Sequence, residues 1–214
     1  NIRAKRDICE ALIDAAEELG LPRNDDFNGV KQEGAGYFQQ TARGGLRCST
    51  ARAFLNPVKN RSNLKIIVHA LVEKVVVEGA KTIGIAISVK GAPRQYWLKS
   101  GGEVILSAGA IGSPQILQLS GIGSGALLQG LEIPVVKALA GVGANLQDHL
   151  QIRTVYEVNV PTLNEEINNL FRRMMIGVQY ALTRTGPMSM GASQVCIFAR
   201  SNEYVETPDI QYHF

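Results

Sequence analysis

The chain has 214 residues, 45% apolar and 19% charged, which is enough to bury a core in one large or two small domains and too apolar for a disordered polypeptide. Its net charge of +3 is small and makes no case for a nucleic-acid partner, and no run reaches the roughly 18 apolar residues of a membrane-spanning helix. The three cysteines, Cys9, Cys48 and Cys196, are odd in number and have no C-x-x-C spacing. They read as free thiols in a reducing compartment; with no basic-then-apolar leader after Asn1, the expected location is cytoplasmic. His69, His149 and His213 show no ligand spacing, so no metal site is expected.

Taken in chain order, Ile2 to Leu19 reads as a helix with Ile8, Leu12, Ala15 and Leu19 on one face, ended by Gly20 and Pro22. A polar loop runs from Pro22 to Gly36, and Ser49 or Thr50 can cap a short helix through Leu55. From Asn63 the pattern turns to β. Leu64, Ile66 and Val68 share one strand face, Val72 to Val77 is rich in β-branched residues, and Thr82 to Val89 alternates strictly, as a strand hairpinned to the one before. Tyr96–Leu98 and Glu103–Ser107 predict a second hairpin around Ser100, Gly101 and Gly102.

The segment after Ser107 is the best defined. Val104, Ile105 and Leu106 are consecutive apolar residues, as in a strand buried on both faces. A glycine turn, Ala108 to Gly112, follows. Ser113 then stands where an N-cap belongs, Pro114 where a first helical residue belongs, and Gly121 where a left-handed terminator belongs. Strand, glycine turn and helix together aim unpaired N–H groups and the positive end of a helix dipole at one point. Further on, a short helix and a strand (Ile133 to Val136) lead to the loop 141–149. A strand is expected over Gln151–Val160, an amphipathic helix over Asn164–Thr183 with Ile167, Leu170, Met174, Val178 and Ala181 on one stripe, and antiparallel strands over Gln194–Ala199 and Asp209–Phe214.

The glycine pairs Gly34/Gly36, Gly121/Gly123 and Gly141/Gly143 do not make a dinucleotide fingerprint. None lies between a strand and a helix with an acidic residue about 20 positions on. The run from Gly109 to Gly123, GAIGSPQILQLSGIG, is more specific. It resembles a signature of the glucose–methanol–choline oxidoreductases at every fixed position. Two further segments agree in order and spacing: Gly143 to His149 resembles the family's G-x-N-L-x-D-H loop, and Gly45 to Ala51 with Asn63-Leu64 resembles its G-x-R-x-S and N-L segments.

The resemblance implies FAD as cofactor and a small-molecule alcohol, primary or choline-like, as substrate, oxidised to a carbonyl by hydride transfer to the flavin. It implies an α/β fold with an α+β portion: part of a Rossmann-like FAD-binding domain with a mixed sheet and β-hairpins, and the start of an antiparallel-sheet substrate domain. Residues 1–60 would be linker and cap helices, 61–150 part of the FAD-binding domain, and 151–214 the start of the substrate domain. Carried over position by position, Val72 matches the adenine contact. Ala108, Gly109 and Ala110 match the turn beside the dinucleotide, and Asn145, Asp148 and His149 match the loop near the flavin. The family's G-x-G-x-x-G entry and its catalytic histidine have no counterpart, so no catalytic residue is assigned. The chain is expected to correspond to the middle of such an enzyme, to be inactive alone, and to have the N- and C-terminal parts of the same enzyme as partners. The alternative is a non-catalytic fragment or interaction module of the same fold that does not retain FAD. A nicotinamide-dependent dehydrogenase is a weaker alternative, disfavoured by the missing fingerprint.

Overall fold

The computed structural model describes residues 5–191 and 193–214. In chain order the elements are α1 (Asp7–Glu18), β1 (Gly34–Tyr37), β2 (Ala42–Arg43), β3 (Leu46–Arg47), β4 (Ala70–Glu78), β5 (Lys81–Val89) and β6 (Ala92–Trp97). They continue with α2 (Gly109–Leu119), β7 (Ile122–Gly123), α3 (Gly125–Gly130), β8 (Lys137–Ala138), α4 (Leu163–Asn168), α5 (Leu170–Thr183), β9 (Val195–Ala199) and β10 (Ile210–His213). The fold is mixed α/β with antiparallel sheets. It divides into two compact units, residues 1–61 with 155–214 and residues 62–154.

The first unit is built on an antiparallel sheet of order β1-β9-β10, with Gly34 opposite Phe198 and Cys196 opposite His213. Gly34 and Gly36 are therefore strand residues rather than loop residues. The loop after α1 crosses them so closely that a Cβ at Gly36 would strike the Asn24 carbonyl oxygen, which only glycine avoids. Helix α1 starts five residues later than the periodicity predicts, and the Ile2–Ala4 part of that expectation lies outside the described residues. Its buried stripe is Cys9, Ile13 and Ala16, which pack with Ala35, Val195 and Ile197. The predicted stripe is rotated: Ile8 and Leu12 only flank the core, Ala15 is exposed, and Leu19 is 85% exposed. The opposite face carries Glu10, Asp14 and Glu17, all bonded by Arg23, at 3.2 Å for Glu10 and 2.6 Å for Glu17. Glu33 and Arg200, just outside paired ends of β1 and β9, meet at 2.9 Å. Arg200 holds the Glu33 carboxyl below the usual carboxylate range.

The single helix predicted over Asn164–Thr183 is two. Asn169 is extended (φ −87°, ψ 116°) and its side chain accepts a bond from the Arg172 amide, so it caps α5 and breaks the run. The apolar stripe of α5 is exposed, with Leu170 at 72% and Met174 at 58%. The short helix expected through Leu55 is a π-helical turn, Ala51–Leu55.

The second unit centres on the antiparallel sheet β4-β5-β6. The alternation of β5 predicts its strand correctly: Gly84, Ala86 and Ile87 are buried there. Several other expected strands do not form. Leu64–Val68 has no strand partner among the described residues. His69, at φ 53°, turns the backbone into the left-handed region immediately before β4. The second hairpin pairs β5 with β6 instead of joining Tyr96–Leu98 to Glu103–Ser107, because Ala92–Trp97 aligns with Gly84–Val89. Glu103–Ser107 stays unpaired among the described residues, and Ile105 is 83% exposed. Gln151–Val160 likewise forms no strand and is exposed throughout. The strand expected at Ile133–Val136 is displaced to β8, which pairs in parallel with β7.

Ile13→Ala, in a position 1% exposed, is expected to destabilise the first unit by about 2–5 kcal/mol, read from the chemical-denaturation midpoint by circular dichroism. Glu33 is more acidic in the folded than in the unfolded chain, so its pair contributes above the ordinary glutamate pKa and is lost as pH falls through the lowered folded value. Arg200→Gln should therefore lower the midpoint at neutral pH and match the wild type at strongly acid pH.

Candidate functional site

All seven positions implied by the resemblance lie in the second unit. Helix α2 organises them. It begins at Gly109, four residues before the predicted Ser113 cap, and Pro114 lies inside it. The Ser113 hydroxyl still serves the helix start, because it accepts a bond from the Ala108 amide at 3.0 Å. Gly109 has φ +84°, a conformation that favours glycine, and a Cβ there would meet nothing within 4 Å. The turn is therefore open: Ala108, Gly109 and Ala110 are all exposed, and the first turn of α2 carries no acidic side chain.

The other end of α2 is closed and buried. Ser120 is 6% exposed. Its hydroxyl donates to the Ile116 carbonyl at 2.5 Å and accepts from the Val75 amide of β4 at 2.8 Å. Val72, the expected adenine contact, lies three residues before Val75 on β4, half-buried and opposite Ile87; the register shifts between Val72 and Lys74. Gly121, at φ +80°, bends the chain sharply, and a Cβ there would strike the Pro134 carbonyl oxygen. Its own carbonyl accepts from the amides of Val136 at 2.8 Å and Lys137 at 3.1 Å, and that of Gly123 accepts from Leu139 at 2.7 Å. The glycines of the Ser-Gly-Ile-Gly segment thus let β7 pair closely with the chain that leads into loop 141–149.

That loop and one side of α2 flank a groove of about 710 Å³, lined by Ala110, Ser113, Pro114 and Gln118 on one side and by Gly141–Gln147 on the other. Ala110 and Asn145 both line it, Asn145 in the left-handed region at φ 59°. Asp148 and His149 lie outside the groove lining and are exposed, with the His149 amide donating to Asp148 Oδ1 at 2.8 Å. Ala108, Gly109 and Val72 also stand outside that lining. Sequence reasoning missed Gln118, which carries no motif signal. It gave Ser120 only as a signature letter, because the strand that uses its hydroxyl lies 45 residues upstream. Among the described residues no cluster of His, Cys, Asp and Glu could hold a metal.

A model of the GMC oxidoreductase family matches residues 1–151. The chain belongs to the GMC oxidoreductase family. It is 41% identical over 209 residues to the oxygen-dependent choline dehydrogenase of Pectobacterium carotovorum subsp. carotovorum (strain PC1), covering 97% of this chain and 37% of that protein. The enzyme of the same name from Vibrio vulnificus (strain YJ016) is 41% identical over 208 residues, with the same coverage. The chain thus spans a little over a third of the length of these curated relatives. Among solved structures, an FAD-dependent oxidoreductase from Chaetomium thermophilum superposes with a TM-score of 0.81 at 30% identity, over 92% of this chain and 35% of that one. A fungal aryl-alcohol oxidase gives 0.71 at 27% identity, over 87% and 32%. FAD is the cofactor of the GMC family, and the open turn suits it: a pyrophosphate is an anion, and a helix start without acidic side chains, entered through a glycine with no Cβ in the way, lets one approach main-chain N–H groups.

Ser120→Ala would leave the Val75 amide buried without its acceptor. It is expected to cost about 1–3 kcal/mol of stability, read as a lowered denaturation midpoint of Trp97 fluorescence, Trp97 being the single tryptophan and part of β6.

Proposed function

We propose that this chain contributes part of the FAD site of an oxidoreductase that converts a primary or choline-like alcohol to a carbonyl. Residues 61–150 act as part of the FAD-binding domain, residues 1–60 as linking and capping segments, and residues 151–214 as the start of the substrate domain. The observation that carries the reading is the open glycine turn at the start of α2, with a groove beside it and an anchored opposite end. When bound, FAD supplies the two-electron oxidation, accepting hydride from the alcohol carbon.

The chain's own residues bind and orient. The main chain of Ala108, Gly109 and Ala110 faces the dinucleotide, and the fixed helix dipole stabilises its negative charge without any side chain having to move. The main chain of Val72 meets the adenine. The bulge beside Val72 supports this, because it interrupts the regular ladder at that residue. Asn145, Asp148 and His149 lie on the flavin side; the left-handed backbone at Asn145 turns the chain there. The proton of the alcohol needs a base within hydrogen-bond reach, and none of these residues is assigned that role. The substrate class rests on the names of the choline dehydrogenases and the aryl-alcohol oxidase. Among the described residues no helix is long and apolar enough to cross a membrane, and a cytoplasmic location is part of the proposal.

Purified chain titrated into FAD is expected to raise flavin fluorescence anisotropy saturably, and to show no alcohol-dependent dye reduction. A flat titration would favour the non-catalytic module that does not retain FAD. Dye reduction with choline or a primary alcohol would contradict the absence of a catalytic residue.

A further inference from the structure

Loop 141–149 carries three of the positions proposed to face the flavin, yet most of it is exposed and it contains no regular secondary structure beyond its own turns. The amide of Val142 donates to Leu139 and that of Ala144 to Gly141, at 3.2 and 3.3 Å, bonds that shape the loop without tying it to α2. The tie to α2 comes from Gln118. Its Nε2 donates to the Val142 carbonyl at 3.2 Å. Two glycines make room for the same side chain. A Cβ at Gly123 would lie 3.1 Å from Gln118 Cγ, and one at Gly143, where φ is +78°, would lie 2.6 Å from Nε2. A half-buried amide, packed between two glycines and bonded to the loop's main chain, holds that loop at a set distance from the helix.

We infer that Gln118 is a positioning residue: it sets the width of the groove between α2 and loop 141–147, and through it the affinity for FAD. The inference rests on the FAD reading above. Gln118 need not touch the cofactor. Its carboxamide donates to one carbonyl of the loop, and the groove walls Ala110 and Asn145 are spaced by that bond. Without the donor, the loop is free to open while β7, β8 and the Ser120 link stay in place, because those bonds do not involve the Gln118 side chain. Ordering the loop would then be part of the cost of binding, which weakens affinity without altering any contact to the ligand.

The test compares wild type with Gln118→Met, which keeps the bulk and loses the donor, and Gln118→Glu, which sets a carboxylate against the Val142 carbonyl. FAD itself is the probe, titrated by flavin fluorescence anisotropy, with amide hydrogen exchange over residues 141–147 and the Trp97 unfolding midpoint read alongside. The expected result is FAD affinity about tenfold weaker in both variants, the size of one lost hydrogen bond, with faster exchange in the loop and an unchanged midpoint. Wild-type affinity in both variants would overturn the inference and leave the FAD reading standing. Weaker binding that only tracks a lowered midpoint would make Gln118 structural and also overturn it. Absence of FAD binding by the wild type would overturn the FAD reading and this inference with it.

Discussion

A single hydroxyl ties the candidate site to the sheet beneath it. Ser120 accepts the outward amide of Val75 on β4 while donating to the last turn of α2, so one buried group ends the helix and occupies an edge amide of the strand. β4 is the edge of its sheet, and an edge amide buried without a partner would be costly. Fixing the closed end of α2 in this way also fixes where its open end points. The glycines that follow, Gly121 and Gly123, then bring β8 and the loop beyond it back along the same helix. The groove and the loop at Asn145 lie along the helix held by that anchor.

The signature from Gly109 to Gly123 thus has a structural meaning at four of its letters. Gly109 opens the turn, Ser113 bonds the Ala108 amide, Ser120 joins helix to strand, and Gly121 permits a close crossing that a side chain would block. Membership of the GMC family follows from the match over residues 1–151 and from relatives at about two-fifths identity. The same chain spans a little over a third of the length of those curated relatives.

How much was legible in advance depended on whether a pattern needed a distant partner. The alternation in β5 and the strands β9 and β10 were readable because each pairs with another segment of this chain. Leu64–Val68, Glu103–Ser107 and Gln151–Val160 have equally good strand patterns, but a strand is completed by hydrogen bonds to a neighbour. Among the described residues these three find none. The buried stripe of α1 is rotated from the expected one because period alone does not say which of two adjacent faces meets the sheet; Cys9, Ile13 and Ala16 face it in place of Ile8, Ala15 and Leu19. Cap chemistry misled at Ser113, a plausible N-cap that acts one turn inside the helix. Gln118 was invisible, because a carboxamide bond to a main-chain carbonyl 24 residues away leaves no pattern in the sequence.

The dependence of the site on the Ser120 anchor is most directly tested by the exchange rate of one proton. Native-state hydrogen exchange resolved to the Val75 amide should show protection as strong as that of the ladder amides of β5, since its acceptor is a buried hydroxyl rather than water. Exchange of that amide at the rate of an open strand edge would mean the hydroxyl does not hold β4. The orientation of α2 would then have to come from elsewhere.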